Sequence, residues 1–173
     1  RRCEVVKRAI QDKIKCTSFC KIRSLVNKGV IKMIQSIVHV TVNVLNQDEA
    51  LEFYTNKLGF EVGMDMTIEG GFRWLTVFAK AQPELELVLA EPKYLKDSIS
   101  MFTKDSAEKI RALVSEGAFG VGVFKTDNCQ KTYDELLAKG VEFTQPPTEQ
   151  FYGIEALGKD NSGNWFSLTQ EAT

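Results

Sequence analysis

The sequence predicts an α+β fold built from two tandem βαβββ modules that form a curved mixed sheet around a cavity. Three observations predict it. The stretch Ile37-Val38-His39-Val40-Thr41-Val42-Asn43-Val44 alternates apolar and polar residues, so it reads as a strand with valines on one face and His39, Thr41 and Asn43 on the other. A strand, helix, strand, strand, strand order follows from it and returns from Val121. The helix exits of the two copies match in kind, "NKLGFEV" at 56–62 against "AKGVEF" at 138–143. A repeat of roughly 80 residues is longer than solenoid periods and points to a duplicated module.

Composition fits this plan. The 173 residues suffice to bury a proper core, and 43% apolar with 26% charged residues is the balance of a globular protein rather than a fibrous or disordered one. No run of about 18 apolar residues is present to span a membrane, and the N-terminus lacks the apolar core of a secretory signal, so a cytoplasmic protein is expected. The net charge of -1 hides an asymmetry: residues 1–32 carry ten Lys/Arg against Glu4 and Asp12, or +8, which leaves -9 for residues 33–173. So acidic a body is a poor match for nucleic acid.

Residues 1–32 therefore read as a basic extension outside the core, and 33–173 as the domain. "CEVVKRAIQDKIKC" has the spacing of a short amphipathic helix, and its charge suits a nucleic acid or an anionic surface. The plainer reading is an appended segment with no part in the domain's chemistry. Cys3, Cys16 and Cys20 offer no fourth ligand and not the usual spacing for zinc.

The first module spans about 35–92. Asn46 with Glu49 is a capping pair, Leu51, Tyr54 and Leu58 form an apolar stripe, and Gly59 supplies the stop of a helix of about three turns. Strands follow at "FEVGMDMTI", at "FRWLTVFAK" after Gly70-Gly71, and at "LELVLAE" after Pro83. A connecting helix is expected at about 105–117, with Asp105 and Glu108 as its cap pair. The second module, about 119–171, repeats the plan: "VGVFKT", a helix capped by Asp127 and Gln130 with Tyr133, Leu136 and Leu137 on one face, then "VEFTQPP", "YGIEALGKD" and "NWFSLTQ". In each copy the helix covers one sheet face, burying Val38, Val40, Val42 and Val44, and leaves a more polar face free. Alternation puts Glu86, Val88 and Ala90 on one face of the first module's last strand and groups Trp165, Ser167 and Thr169 in the second.

The stretches "HVTVNVLNQDEALEFYTNKLGFEV", "LELVLAEP", "TYDELLAKGVEF" and "KDNSGNWFSLTQ" resemble the vicinal oxygen chelate superfamily: glyoxalase I, bleomycin-resistance proteins, fosfomycin-resistance enzymes and extradiol dioxygenases. The resemblance covers about residues 35–170. It implies the fold strongly and the reaction weakly, because lyases, transferases, oxygenases and non-catalytic drug binders share the scaffold. It also implies four metal-ligand positions, on the first and last strands of each module. His39 and Glu86 fall on two of them. Val121, or Gly120 if the register slips by one, and Ser167 fall on the others and supply poor ligands. One histidine in the chain cannot build a two-histidine iron site, so extradiol cleavage is not expected.

Two readings of His39 and Glu86 stand side by side. They form a catalytic acid and base pair, with no cofactor or with a weakly bound divalent metal, or they are a structural sheet histidine and the wet side of an edge strand. Thr41, Asn43, Trp74, Tyr152, Trp165 and Ser167 are the expected ligand-binding residues, with Phe151 beside Tyr152 and core packing as the alternative for the tryptophans. Arg73 reads as a solvated arginine or as a partner for an anionic ligand. Cys129 and the aromatics Phe53, Tyr54 and Tyr133 are assigned to packing. The resulting expectation is a small-molecule binding protein of the glyoxalase/bleomycin-resistance type that sequesters a ligand or drug, with a degenerate metal site and a homodimeric state. The alternative is a lyase, isomerase or transferase using His39 and Glu86.

Overall fold

The structure, a computed structural model, describes residues 34–95 and 102–172. The chain divides into two units, Arg1–Ser36 and Ile37–Thr173, and the fold below is that of the second. The expected basic helix and the three cysteines of the extension lie outside the described residues. Among the described residues no helix is long and apolar enough to cross a membrane.

The element order is that of two βαβββ modules. The first runs β1 (His39–Asn43), α1 (Gln47–Glu52, continued by a π turn over Phe53–Lys57), β2 (Glu61–Thr67), β3 (Arg73–Phe78) and β4 (Glu86–Ala90). Helix α2 (Lys104–Ser115) connects it to β5 (Gly120–Lys125), α3 (Cys129–Ala138), β6 (Glu142–Gln150), β7 (Gly153–Lys159) and β8 (Trp165–Glu171). Each module makes its own four-stranded mixed sheet, in the orders β1-β4-β3-β2 and β5-β8-β7-β6. The first and last strands of a module pair in parallel and the others antiparallel.

Local chemistry accounts for the elements. Asn46 accepts from the backbone N–H groups of Asp48 and Glu49, as the sequence predicts. Two expected caps shift. Thr103 with Ser106 closes a capping box on α2 in place of Asp105 with Glu108, and Asn128 rather than Asp127 caps α3 through Lys131 N. The π turn closes with Leu58 N donating to Phe53 O at 3.2 Å. Its widened turn lets the adjacent Phe53 and Tyr54 both reach the core, at 4% and 0% exposure. Gly59 and Gly140 take positive φ just past α1 and α3, the left-handed exits that the matched texts predict. These exits are tied to each other: Lys57 Nζ donates to Gly140 O and Lys139 Nζ to Lys57 O.

One core joins both modules. Val42, Val44, Leu75, Val77, Leu87 and Leu89 of the first sheet pack on Ala50, Phe53 and Tyr54, and Ala156, Phe166 and Leu168 of the second on Cys129 and Leu136. Phe60, Phe124 and Phe166 link the two through ring contacts. Val38 and Val40 fall short of the expected burial, at 51% and 38% exposed, because β1 is an edge strand and its start lies beyond the cover of α1. Strand β6 runs on through Pro146 and Pro147, which it tolerates because it too is an edge strand and its register shifts there.

Beneath the core lies a buried polar knot. Asp160 Oδ1 accepts from Ser162 N and Asn164 N, and its Oδ2 from Tyr54 Oη and Asn164 Nδ2. Asn164 Nδ2 also donates to Asn43 O, and Ser162 Oγ accepts from Leu45 N. The closing turn of the second module is thereby sewn to the first strand and helix of the first. Burial, then the charge of Asp160, pushes the Tyr54 hydroxyl well above its ordinary pKa, which keeps it a donor.

Candidate functional site

Since the helices take one face of each sheet, the opposite faces hold the remaining alternate residues. On the first sheet these include His39, Thr41 and Asn43 of β1, Trp74 and Thr76 of β3, and Glu86 and Val88 of β4. His39 and Glu86 are cross-strand partners, so the parallel register itself sets them side by side. His39 Nε2 stands 3.6 Å from Glu86 Oε2, within ion-pair reach but longer than a hydrogen bond. The Trp74 ring meets the imidazole edge to face at 5.6 Å. Thr76 and Val88 form the floor, at 0% and 3% exposure.

The carboxylate of Glu86 lies over Gly63. A Cβ there would come within 2.7 Å of both Glu86 Oε2 and Thr76 Oγ1. A bulge at Gly63 and Met64 faces Thr76, whose Oγ1 accepts from Met64 N at 2.8 Å. Past the bulge, Met66 pairs with Trp74 at the rim. Arg73 belongs to the other side. Its Nε and Nη2 donate to the two oxygens of Asp65 and its Nη1 to Asp48 at the start of α1, so it is a clamp between strand and helix with its charge already balanced.

On the second sheet the free face is formed by Trp165, Ser167 and Thr169 of β8, Glu155 and Leu157 of β7, and Val123 of β5. The Trp165 ring lies against Gly120, where any Cβ would clash with it. Ser167 Oγ donates to Glu155 Oε1 at 2.5 Å and, with its one hydrogen so used, accepts from Thr169 Oγ1 at 2.8 Å. Tyr152 Oη donates to Glu155 Oε2 at 2.8 Å, and that bond raises the Tyr152 pKa. Phe151, its ring neighbour, is 97% exposed.

The predicted residues thus form two clusters. His39, Trp74 and Glu86 are together on the first sheet, with Thr41 and Asn43 on the same strand; Tyr152, Trp165 and Ser167 are on the second. No hydrogen bond, ion pair or ring contact among the described residues joins one cluster to the other. Glu155 and Gln145 also lie on the second sheet's free face, with no motif in the sequence to mark them. Alternation along "GIEALGK" already put Glu155 with Leu157, but only the strand pairing brings it beside Ser167 and Thr169. Two buried polar atoms on these faces have no partner, Asn43 Oδ1 and Gln145 Nε2.

The donor set can be tested against the metal that the superfamily resemblance implies. His39 and Glu86 give two donors. A bulge between Gly120 and Gly122 turns Val121 into the core, Gly120 is covered by Trp165, and the hydroxyl of Ser167 is engaged by Glu155 and Thr169. Among the described residues no three His, Cys, Asp or Glu side chains group so as to hold an ion. The residues present do not fit a resident divalent metal.

A family model described as the Glyoxalase/Bleomycin resistance protein/Dioxygenase superfamily matches residues 36–168. The chain belongs to this superfamily. Among curated relatives, an uncharacterized protein of Shewanella frigidimarina is 31% identical over 140 residues, covering 80% of this chain and 95% of its own. The uncharacterized protein YurT of Bacillus subtilis is 31% identical over 135 residues, 78% of this chain and 98% of its own. Among solved structures, UcmS2 shares 44% identity with a TM-score of 0.73, over 80% of this chain and 100% of that one. TnmS3, described as an antibiotic binding protein from Streptomyces, shares 24% identity with a TM-score of 0.61 over 81% of this chain and 98% of that one, a likeness of fold alone.

Proposed function

We propose that this superfamily member is a cytoplasmic, homodimeric small-molecule binding protein that sequesters its ligand between the free faces of its sheets. The observation that carries the reading is the pair of faces themselves. Each sets an exposed tryptophan or imidazole beside a carboxylate over a floor of small and hydroxylic residues, and each has a buried polar atom without a partner. Unpaired buried polar atoms are costly unless something satisfies them, and a ligand with matching groups does so. Trp74 and Trp165 serve as walls, and Thr41, Asn43, Tyr152 and Ser167 as polar anchors. That the fold also serves an antibiotic binding protein agrees with this role.

Two open faces on one chain argue for a second copy. Edge strand β2 leaves Met64 and Met66 at 47% and 50% exposure, Ile68 just past its end is 44% exposed, and Val123 is 68% exposed. Apolar rims of this kind on both sheets are covered when one copy's first module meets the other copy's second. The test is ligand titration of the purified protein followed by tryptophan fluorescence, with metal analysis alongside. Saturable quenching that Trp165→Phe reduces, without stoichiometric metal, is the expected result. Absence of saturable binding across a panel of flat apolar compounds would remove the proposal.

A second reading keeps one specific observation, the approach of His39 Nε2 to Glu86 Oε2 at 3.6 Å. A ligand that draws the two groups together completes an acid and base pair for proton transfer, the chemistry of an isomerase or lyase. Conversion of a bound compound that stops in both His39→Gln and Glu86→Gln, with binding retained, decides for it.

A further inference from the structure

The second sheet's free face carries a charge that the neighbouring side chains do not balance. Both oxygens of Glu155 accept from hydroxyls, Oε1 from Ser167 and Oε2 from Tyr152. Hydroxyls fix a carboxylate without neutralising it, and each of its oxygens keeps room for a further donor. None of the ion pairs among the described residues includes Glu155. The cation on the strand position beyond Thr169, Lys125, is bonded to Glu171 at 2.6 Å. Lys159 pairs with Trp165 and stands four residues along β7 from Glu155, roughly 13 Å at strand spacing.

The surroundings of that anion are apolar or unsatisfied. Trp165 is laid against Gly120 yet 44% exposed, so one surface of the indole is open. Val123 flanks Ser167 on the outer strand, and Leu157 flanks it on the inner. Gln145, paired with Leu157, buries an amide N–H without an acceptor. A half-buried carboxylate in such a place is costly unless a cation meets it. Aromatic planes attract the same class of partner through their faces.

We infer that the second module's free face binds a flat aromatic ligand carrying a cationic nitrogen, with Glu155 as its counter-ion, held in place by Ser167 and Tyr152, and Trp165 as the stacking plane. The inference deepens the small-molecule reading above and rests on it. Gln145 Nε2 is the donor for an oxygen on the same ligand.

The probes are N-methylacridinium, a permanent cation, and acridine in mildly alkaline buffer where it is uncharged, each titrated calorimetrically into the full chain. The cation is expected to bind about tenfold tighter than the neutral probe, the worth of one charge-assisted contact. Glu155→Gln removes that preference, added salt narrows it, and Trp165→Ala weakens both probes alike. Unchanged melting of Glu155→Gln shows that the variant folds; should it melt early, Tyr152→Phe with Ser167→Ala, which frees the carboxylate to wander, is expected to cut the preference in its place. Equal binding of the two probes, or a preference that survives both variants, overturns the inference and leaves the small-molecule reading standing. Failure of both probes to bind likewise overturns the inference, and the small-molecule reading is then decided by the wider panel of flat compounds.

Discussion

Asp65 and Arg73 belong to the sheet's mechanics rather than to its ligand chemistry. The hydrogen bonds from Arg73 hold the Asp65 carboxyl below its ordinary value of 3.8, and the same bonds raise Arg73. A lowered folded pKa means that the stabilisation is complete above the unfolded value and lost as pH falls through the folded one. Asp65→Asn is therefore expected to melt slightly earlier than the parent at neutral pH, by less than about 1 kcal/mol since Asp65 is exposed, and the gap closes as the pH falls below the carboxylate range. Thermal melts of both proteins across that range check it. Asp160 stands at the other extreme: it is 6% exposed and accepts four hydrogen bonds. Asp160→Ala orphans buried donors from both modules and is expected to cost about 3 kcal/mol or more, whereas Tyr54→Phe removes one bond and costs about 1 kcal/mol, both readable by denaturant titration. Cys129 is fully buried with its thiol bonded to Leu168 O, and burial raises its pKa. Alkylation of the native protein mapped by mass spectrometry should leave Cys129 unmodified until the chain is unfolded.

At the scale of the element, β5 differs most from its sequence reading. Counted from the helix exit, Val121 takes the place that His39 has in the first module, and alternation alone would turn it to the free face. The bulge between Gly120 and Gly122 reverses it into the core and brings Val123 opposite Ser167. A bulge leaves no period in the sequence; two glycines around one valine were the available sign. Gly120 also makes the room in which Trp165 lies. Gly120→Val is expected to evict the indole, shift its emission towards that of solvent-exposed tryptophan, and weaken the binding of flat ligands, with fluorescence and titration as readouts. The two caps shift for a related reason. Asp127 and Asn128 are both good caps by chemistry, as are Thr103 and Asp105, and only the path of the chain into the helix chooses between them.

For the molecule as a whole, the pseudo-repeat places two sheets around one aromatic core and leaves their other faces without a helix over them. Sedimentation of the purified chain is expected to give a dimer, and Met64→Lys with Met66→Lys a monomer of unchanged fold with weaker ligand binding. A parent that sediments as a monomer at high concentration would remove the dimer. The sequence by itself determined the two βαβββ modules, their helix stops, the strand carrying His39 and the superfamily, because hydrophobic period, capping and left-handed glycines act over a few neighbouring residues. Only the tertiary structure decided that Asp160 ties the modules together, that Arg73 is already neutralised, that Val121 turns inward and that Glu155 stands beside Ser167. Those facts depend on which strands become neighbours and in what register, a matter of contacts between residues 8 to more than 100 positions apart that no local pattern records.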